Sequence, residues 1–171
     1  PFFFFGHSMG AVLAYETALA LAESGHPVPE HLFVSGRRPP HVPDPMTPLG
    51  ELPVSAFVEE INRRYGGIRP ELLAHPDVME LLLPALRADI RALDRHRPAH
   101  PRKALPCPIT AMGGDADAVT PAQHLEAWRP LTTAAFALKR YGGDHFYLDG
   151  RRAELLTDLA AAFRVADLSR G

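Results

Sequence analysis

The sequence predicts an α/β fold: a mostly parallel sheet flanked by helices, with a helical segment inserted between two of its strands. Three observations carry that prediction. Short apolar runs at Phe2–Phe5, His31–Ser35, Ile109–Met112 and Ala134–Tyr141 have strand length, and helical patterns separate them. The first two runs enclose one amphipathic helix, which makes a βαβ unit with an expected right-handed crossover. All four runs lead into glycine, at Gly6, Gly36, Gly113-Gly114 and Gly142-Gly143, so loops of similar chemistry follow strands that all point the same way.

Taken in order, Phe2–Phe5 alternates four aromatics across a pleat and would be buried on both faces, as in a central strand. A central strand needs neighbours on both sides, and the remaining chain supplies only three more strands. The expectation is therefore that N-terminal strands are missing from this sequence. The alternative, an edge strand, would leave a Phe-rich edge open to aggregation. A helix then runs to about Ser24, with Ala11, Val12, Ala14, Tyr15, Ala18, Leu19 and Ala22 on one face. Gly25 ends it and Pro27 prevents its continuation. A short helix over Pro121–Trp128 separates the last two strands. A final helix over Phe146–Val165 turns Leu148, Leu155, Leu159, Ala162 and Phe163 inward.

Between the second and third strands the composition shifts. Prolines crowd residues 39–53 and again 98–108. Helical patterns lie between them, at about Val54–Tyr65, Arg69–Ala74 and Pro76–Asp94. Leu81, Leu82, Leu83, Leu86, Ile90 and Leu93 form an apolar stripe on the last of these, and Pro84 is expected to bend or break it. The expected division is a core of residues 1–38 and 102–171 and a helical insertion of residues 39–101. Such an insertion reads as a lid over a site, with substrate-binding residues somewhere in 54–97, or as a plain helical subdomain.

Composition narrows the class. Hydrophobic residues make up 46% and charged residues 22%, which suits a globular domain rather than a disordered chain. A formal net charge of −2 gives no reason to expect nucleic acid as a partner. No apolar run has the length of a membrane span. A single cysteine, Cys107, excludes an intramolecular disulfide and a cysteine-based metal site, and no metal or other cofactor is expected. With no recognisable signal peptide, the expected location is the cytoplasm.

The chemistry concentrates where strands end. Gly6-His7-Ser8-Met9-Gly10 is a G-x-S-x-G turn between a strand and a helix. A turn that tight forces the serine into a strained conformation, and side chains at Gly6 and Gly10 would collide with neighbouring backbone. Ser8 would stand above the sheet as a nucleophile, and the Met9 N–H at the helix start would donate to a developing oxyanion. The plainer reading is an ordinary helix N-cap serine. A serine nucleophile needs a base. His145 follows the Gly142-Gly143 turn at the same sheet edge. His26, His31, His41, His75, His96, His100 and His124 fall in loops or on helix surfaces and are expected to be solvated. His7 lies inside the turn, where it lines the site without facing Ser8 as base. The orienting carboxylate is Asp117, which lies further along its loop than Asp115. Asp144 is read as a loop or cap residue. The order Ser8, Asp117, His145 is that of the α/β-hydrolases.

On these residues the sequence resembles the thioesterase family within the α/β-hydrolases, and in particular the type II thioesterases of polyketide and nonribosomal peptide synthesis. The resemblance rests on Phe4 with the Gly6–Ala11 turn, on Leu81-Leu82-Leu83-Pro84-Ala85-Leu86-Arg87-Ala88-Asp89, on Gly113-Gly114-Asp115-Ala116-Asp117, and on Gly143–Leu148. It covers essentially the whole chain. The second segment is the most specific to type II enzymes. The resemblance implies a catalytic carboxylate at the second aspartate of Gly-Asp-x-Asp, which is Asp117. It also implies hydrolysis of acyl groups from the phosphopantetheine arm of an acyl-carrier or peptidyl-carrier protein; a monomer without cofactor is expected. Family members carry several strands before the serine turn, and with them the second oxyanion donor, so this chain alone is expected to fold poorly or to be inactive. Three other readings stay open: a generic carboxylesterase or lipase, a non-catalytic binder of carrier proteins, and the terminal cyclising thioesterase domain of a synthase.

Overall fold

A computed structural model describes residues 1–68, 70–98 and 103–168. Four strands, β1 (Phe4–His7), β2 (Leu32–Ser35), β3 (Ile109–Gly114) and β4 (Phe136–Tyr141), pair in parallel in the order β1-β2-β3-β4. The register is continuous, with Phe4 beside Leu32, Leu32 beside Ile109 and Ile109 beside Phe136. All four carboxyl ends therefore open on one edge, where ligands bind in folds of this type.

Side-chain alternation along the strands covers both faces of the sheet. On one face Leu32, Val34, Ile109 and Ala111 pack against Tyr15 and Leu19 of α1 (Met9–Glu23) and against Leu125 of α5 (Ala122–Glu126). On the other, Phe33 and Met112 meet Tyr147 of α6 (Tyr147–Gly150) and Leu155 of α7 (Arg152–Leu168). The expected final helix is thus two, divided at Arg151. Phe163 is 44% exposed rather than turned inward, although its ring still meets Phe3 and Phe33.

β1 does not have the two neighbours expected of a central strand. Among the described residues it pairs with β2 alone, and Phe5 is 41% exposed beside the open edge. Phe3 and Phe4 still pack, on opposite faces of the sheet.

The segment between β2 and β3 forms α2 (Val54–Tyr65), α3 (Pro70–Leu73) and α4 (Pro76–Arg95). These helices gather a third apolar cluster around Leu49, Phe57, Ile61 and Ile68. From α4 it is Leu83, Leu86 and Ile90 that pack there, whereas Leu81 and Leu82 are 79% and 44% exposed. The stripe read from the sequence was too wide, since Leu81 lies on the opposite side of the helix from Leu83, Leu86 and Ile90, and Leu82 at the margin of their face. Pro84 does not break α4, which runs unbroken across it. Of the sequence-level expectations, Arg69, His100, Pro101 and the 101/102 boundary lie outside the described residues. Among those described, no helix is long and apolar enough to cross a membrane.

Candidate active site

Ser8 joins β1 to α1 with φ 54° and ψ −116°, and it is the only non-glycine residue with positive φ among those described. A serine rarely adopts that conformation without a reason in its surroundings. Here the surroundings are explicit. The Ser8 N–H donates to the Ser35 carbonyl at 2.8 Å, and a Cβ at Gly6 would lie inside the Gly10 carbonyl. Glycine at position 6 is therefore a steric requirement. The same expectation fails at Gly10, where a Cβ would meet nothing within 4 Å because nothing packs over that side of the helix start. An ordinary N-cap serine has extended backbone, and its side-chain oxygen accepts a hydrogen bond from the first turn. Ser8 does neither. The Met9 N–H belongs to that first turn, whose donors have no partner within the helix.

The loops after β3 and β4 meet backbone to backbone. The Asp115 N–H donates to Tyr141 O and the Ala116 N–H to Gly143 O, both at 2.8 Å. A side chain at Gly114 would collide with the carbonyls of Gly143 and Asp144. This close approach brings Asp117 and His145 together: His145 Nδ1–H donates to Asp117 Oδ2 at 2.8 Å, with the two residues 2% and 5% exposed. The other carboxylate oxygen accepts from the Val119 and Thr120 N–H groups at 2.9 and 3.2 Å. Burial pushes the Asp117 carboxyl up, but the His145 hydrogen bond and charge and the two backbone donors outweigh it, so the group is held below the usual carboxylate range. With Nδ1 committed as donor, neutral His145 keeps Nε2 as a base. Asp115 is more than half exposed and pairs with Arg140 at 2.9 Å, and Asp144 accepts from the Phe146 N–H at 2.9 Å as a loop residue.

No hydrogen bond joins Ser8 to His145 in this structure. The two are linked through the end of β2 instead. Gly36 has φ 59°, and a Cβ there would lie 2.7 Å from His7 Cε1 and 3.2 Å from His145 Cε1. The His7 and His145 rings are 4.8 Å apart. Catalytic contacts in unliganded enzymes are often long and tighten only when substrate binds.

His7 lines the site as expected, but its partners Ser35 and Tyr147, and the residues Tyr65, Gly67 and Phe146, escaped the sequence reading. His7 Nδ1 is hydrogen-bonded to Ser35 Oγ at 2.9 Å, and Ser35 Oγ to the Tyr147 hydroxyl at 2.7 Å. Burial, then the charge of His145, pushes His7 down to about 4, with Asp117 opposing, so its ring is neutral near pH 7. The Tyr65 ring, at the end of α2, lies 5.0 Å from His145. Gly67 leaves room for the Phe146 ring, which would touch a Cβ there at 2.6 Å. The helical segment thus reaches the His145 loop directly. The only available signals were residue types at strand and helix ends, which do not say what meets in space. Two histidines expected to be solvated are also engaged. His31 stacks on Phe33 and bonds Thr110 Oγ1 at 2.8 Å, and His96 pairs with Glu16 at 3.0 Å. Among the described residues, no group of His, Cys, Asp and Glu is arranged to hold a metal ion.

Comparison with known proteins places this geometry. Thioesterase PikA5 of Streptomyces venezuelae is 40% identical over 160 residues, 92% of this chain and 55% of its own length. Linear gramicidin dehydrogenase LgrE of Brevibacillus parabrevis is 38% identical over 159 residues, 91% of this chain and 60% of its own. The solved structure of the RedJ thioesterase from the prodiginine biosynthetic pathway of Streptomyces coelicolor superposes with a TM-score of 0.85 at 41% identity, over 94% of this chain and 63% of that one. The chain therefore spans little more than half the length of these relatives. The model of the thioesterase domain matches residues 1–163, so the chain belongs to the thioesterase family.

Proposed function

We propose that the protein hydrolyses acyl thioesters carried on the phosphopantetheine arm of acyl-carrier or peptidyl-carrier proteins, and so clears misprimed or stalled units from a biosynthetic assembly line. The observation that carries the chemistry is the buried His145–Asp117 hydrogen bond of 2.8 Å beside a serine held at positive φ. In this reading Ser8 Oγ attacks the thioester carbonyl while His145 Nε2 takes its proton. Asp117 fixes the ring and stabilises the imidazolium. The Met9 N–H donates to the tetrahedral oxyanion. Collapse expels the pantetheine thiol, which takes the proton from His145, and leaves an acyl-serine. Water activated by His145 then releases the carboxylic acid and restores Ser8. Residues 1–38 and 102–171 form the catalytic core, and 39–101 a lid beneath which the arm reaches Ser8. Tyr65 against His145 supports that placement of the lid.

The substrate class is supported by the pathway named for RedJ and by the type II pattern around Leu81–Asp89. The name of LgrE points instead to hydride transfer. A dinucleotide-binding strand–helix turn needs G-x-G-x-x-G so that backbone can approach the pyrophosphate. This chain has Ser8 at the second of those positions, which favours hydrolysis. A cytoplasmic setting, where carrier proteins are loaded, accords with a free and buried Cys107.

The test compares acetyl-carrier protein with a simple aryl ester as substrates of the protein and of Ser8→Ala. The reading expects a preference of at least about tenfold for the thioester, and a loss of about 10³-fold or more in the variant. A preference for the aryl ester would favour the carboxylesterase reading. A Ser8→Ala variant of unchanged activity would sink the mechanism.

A further inference from the structure

A cavity of about 410 Å³ lies between the end of β2, the proline-rich stretch after it, and the ends of α2 and α4. It is separate from the Ser8 turn but adjoins the site through Tyr65, which lines the cavity and whose ring is 5.0 Å from His145. Four arginines line it, Arg37, Arg38, Arg64 and Arg97, against two aspartates. Much of the rest of the wall is proline and aliphatic, including Pro39, Pro40, Pro43 and Leu49.

The arginines differ in how they are satisfied. Arg38 is paired with Asp44, and Arg64 with Glu60 at 3.2 Å. Among the described residues, Arg97 donates to the Asp94 and His96 carbonyls, at 3.0 and 2.8 Å. Arg37 has the Tyr65 phenol beside it and Asp94 through space, and it forms no ion pair with a carboxylate among the described residues. Asp94 is already engaged, since one of its oxygens accepts from the Leu49 and Gly50 N–H groups at 3.0 and 2.8 Å. Among the described residues, two guanidinium groups are thus left without a carboxylate of their own, Arg37 in the partly dry wall and Arg97 at the exposed rim. Burial lowers the affinity of Arg37 for its proton, and burial together with the neighbouring Arg37 charge lowers that of Arg38 to about 10. A buried charge without a partner is costly, and an incoming anion relieves that cost. Arginine forks match carboxylate and phosphate oxygens in pairs. The prolines hold the wall in place, so little order is lost on binding.

We propose that this cavity binds an anionic oxygen group of the thioester substrate, with Arg37 and Arg97 as its principal ligands. The inference rests on the thioesterase reading and adds to it a determinant of substrate choice. Two sources supply the same chemistry: the phosphate of the pantetheine arm, or a terminal carboxylate on the acyl group.

The experiment measures kcat/KM of the full protein on three substrates: acetyl-N-acetylcysteamine, which carries no anion; acetyl-phosphopantetheine, which carries a phosphate; and glutaryl-N-acetylcysteamine, which carries a carboxylate. The expected result is that Arg37→Gln lowers the ratio of one anionic substrate to the neutral one at least tenfold, chiefly through KM, and that Arg37→Lys recovers part of it. The substrate whose ratio falls identifies the source. Arg97→Gln, at an exposed position, should act in the same direction and covers the case in which the Arg37 variants fold badly. An equal change on all three substrates, or no change from either Gln variant, overturns the proposal. If the unaltered protein cleaves none of the three, the thioesterase reading is what has failed. The cavity is then read by calorimetry with phosphopantetheine and with glutarate. Binding that Arg37→Gln or Arg97→Gln weakens at least tenfold upholds the site. No binding, or binding that both variants leave unchanged, overturns it.

Discussion

The sheet edge that carries Ser8, Asp117 and His145 and the helical segment from α2 to α4 meet at Tyr65, but they are held in different ways. At the sheet edge the ties run from backbone to backbone. Ser8 N–H reaches Ser35 O, Ala116 N–H reaches Gly143 O, and Gly6 and Gly114 have no space for a methyl group. In the helical segment α4 has no buried residue, and side chains tie it to the turn before α2: Arg87 to Leu52 O at 2.7 Å, Arg91 to Gly50 O at 2.9 Å, and Asp94 to two N–H groups. Backbone contacts have no rotamers to exchange, whereas arginine ties trade with water at low cost. The lesson is a division of labour. On the proposed reading, groups that move protons sit where geometry is fixed, and the part that would cover the substrate sits where it can yield.

The largest effect should come from the fixed region. Asp117→Asn keeps the shape of the side chain but loses the charge that orients and stabilises protonated His145, so kcat should fall about 10³- to 10⁴-fold on any thioester. The thermal midpoint should move far less than the activity. A variant retaining a tenth of the activity would show that the pair is not catalytic.

A pair of substitutions in the two regions breaks the comparison directly. Gly114→Ala forces the two loops apart and should destabilise by about 3 kcal/mol while removing nearly all activity. Phe57→Ala empties the fully buried centre of the helical cluster and should also cost about 3 kcal/mol or more. Its cost should fall on the helical segment, seen as faster amide exchange in α2 and α4 with β3 and β4 still protected. Loss of protection throughout the sheet in Phe57→Ala would show that the two regions unfold together and that the division is false.

Acid should act on the sheet region first. His7 and His31 are both pushed down to about 4, in each case mainly by burial. Both are neutral in the folded protein, while in the unfolded chain they take up protons from about pH 6.5 downward. The unfolded state therefore binds more protons between pH 6.5 and 4, and stability falls as pH drops through that window. The thermal midpoint should decline on the order of 5 °C more across that interval than in a His31→Gln variant. Identical slopes for the two proteins would remove His31 from the account.

These contrasts also explain what could be read in the sequence. The placement of Ser8, Asp117 and His145 on one sheet edge was legible because each follows a strand, and parallel strands bring their ends to one edge whatever the details of packing. Arg140 as partner of Asp115, and the His7–Ser35–Tyr147 chain, were not legible. They depend on which side chains face each other across elements as much as 112 residues apart in sequence. His31 was misjudged for a related reason: a histidine at a strand entrance looks solvated until the stacking on Phe33 is known. Pro84 was judged by the local rule for helix interiors, yet α4 continues through it.

The smallest effect tests the helical segment from its outer side. Leu81 lies within the pattern that carried the resemblance to type II thioesterases, yet it is 79% exposed. A residue that open has little apolar area to lose, so Leu81→Ala should change stability by less than about 0.5 kcal/mol. Leu83, two residues on, packs into the helical cluster, and Leu83→Ala should cost several times more. The comparison is read by denaturant midpoints on the two variants at matched pH and salt. Near-equal losses would mean that the outer face of α4 is covered in the protein, and that the segment is held more firmly than its side-chain ties imply. The expected asymmetry instead leaves Leu81 and its half-exposed neighbour Leu82 as apolar residues that the fold itself does not use.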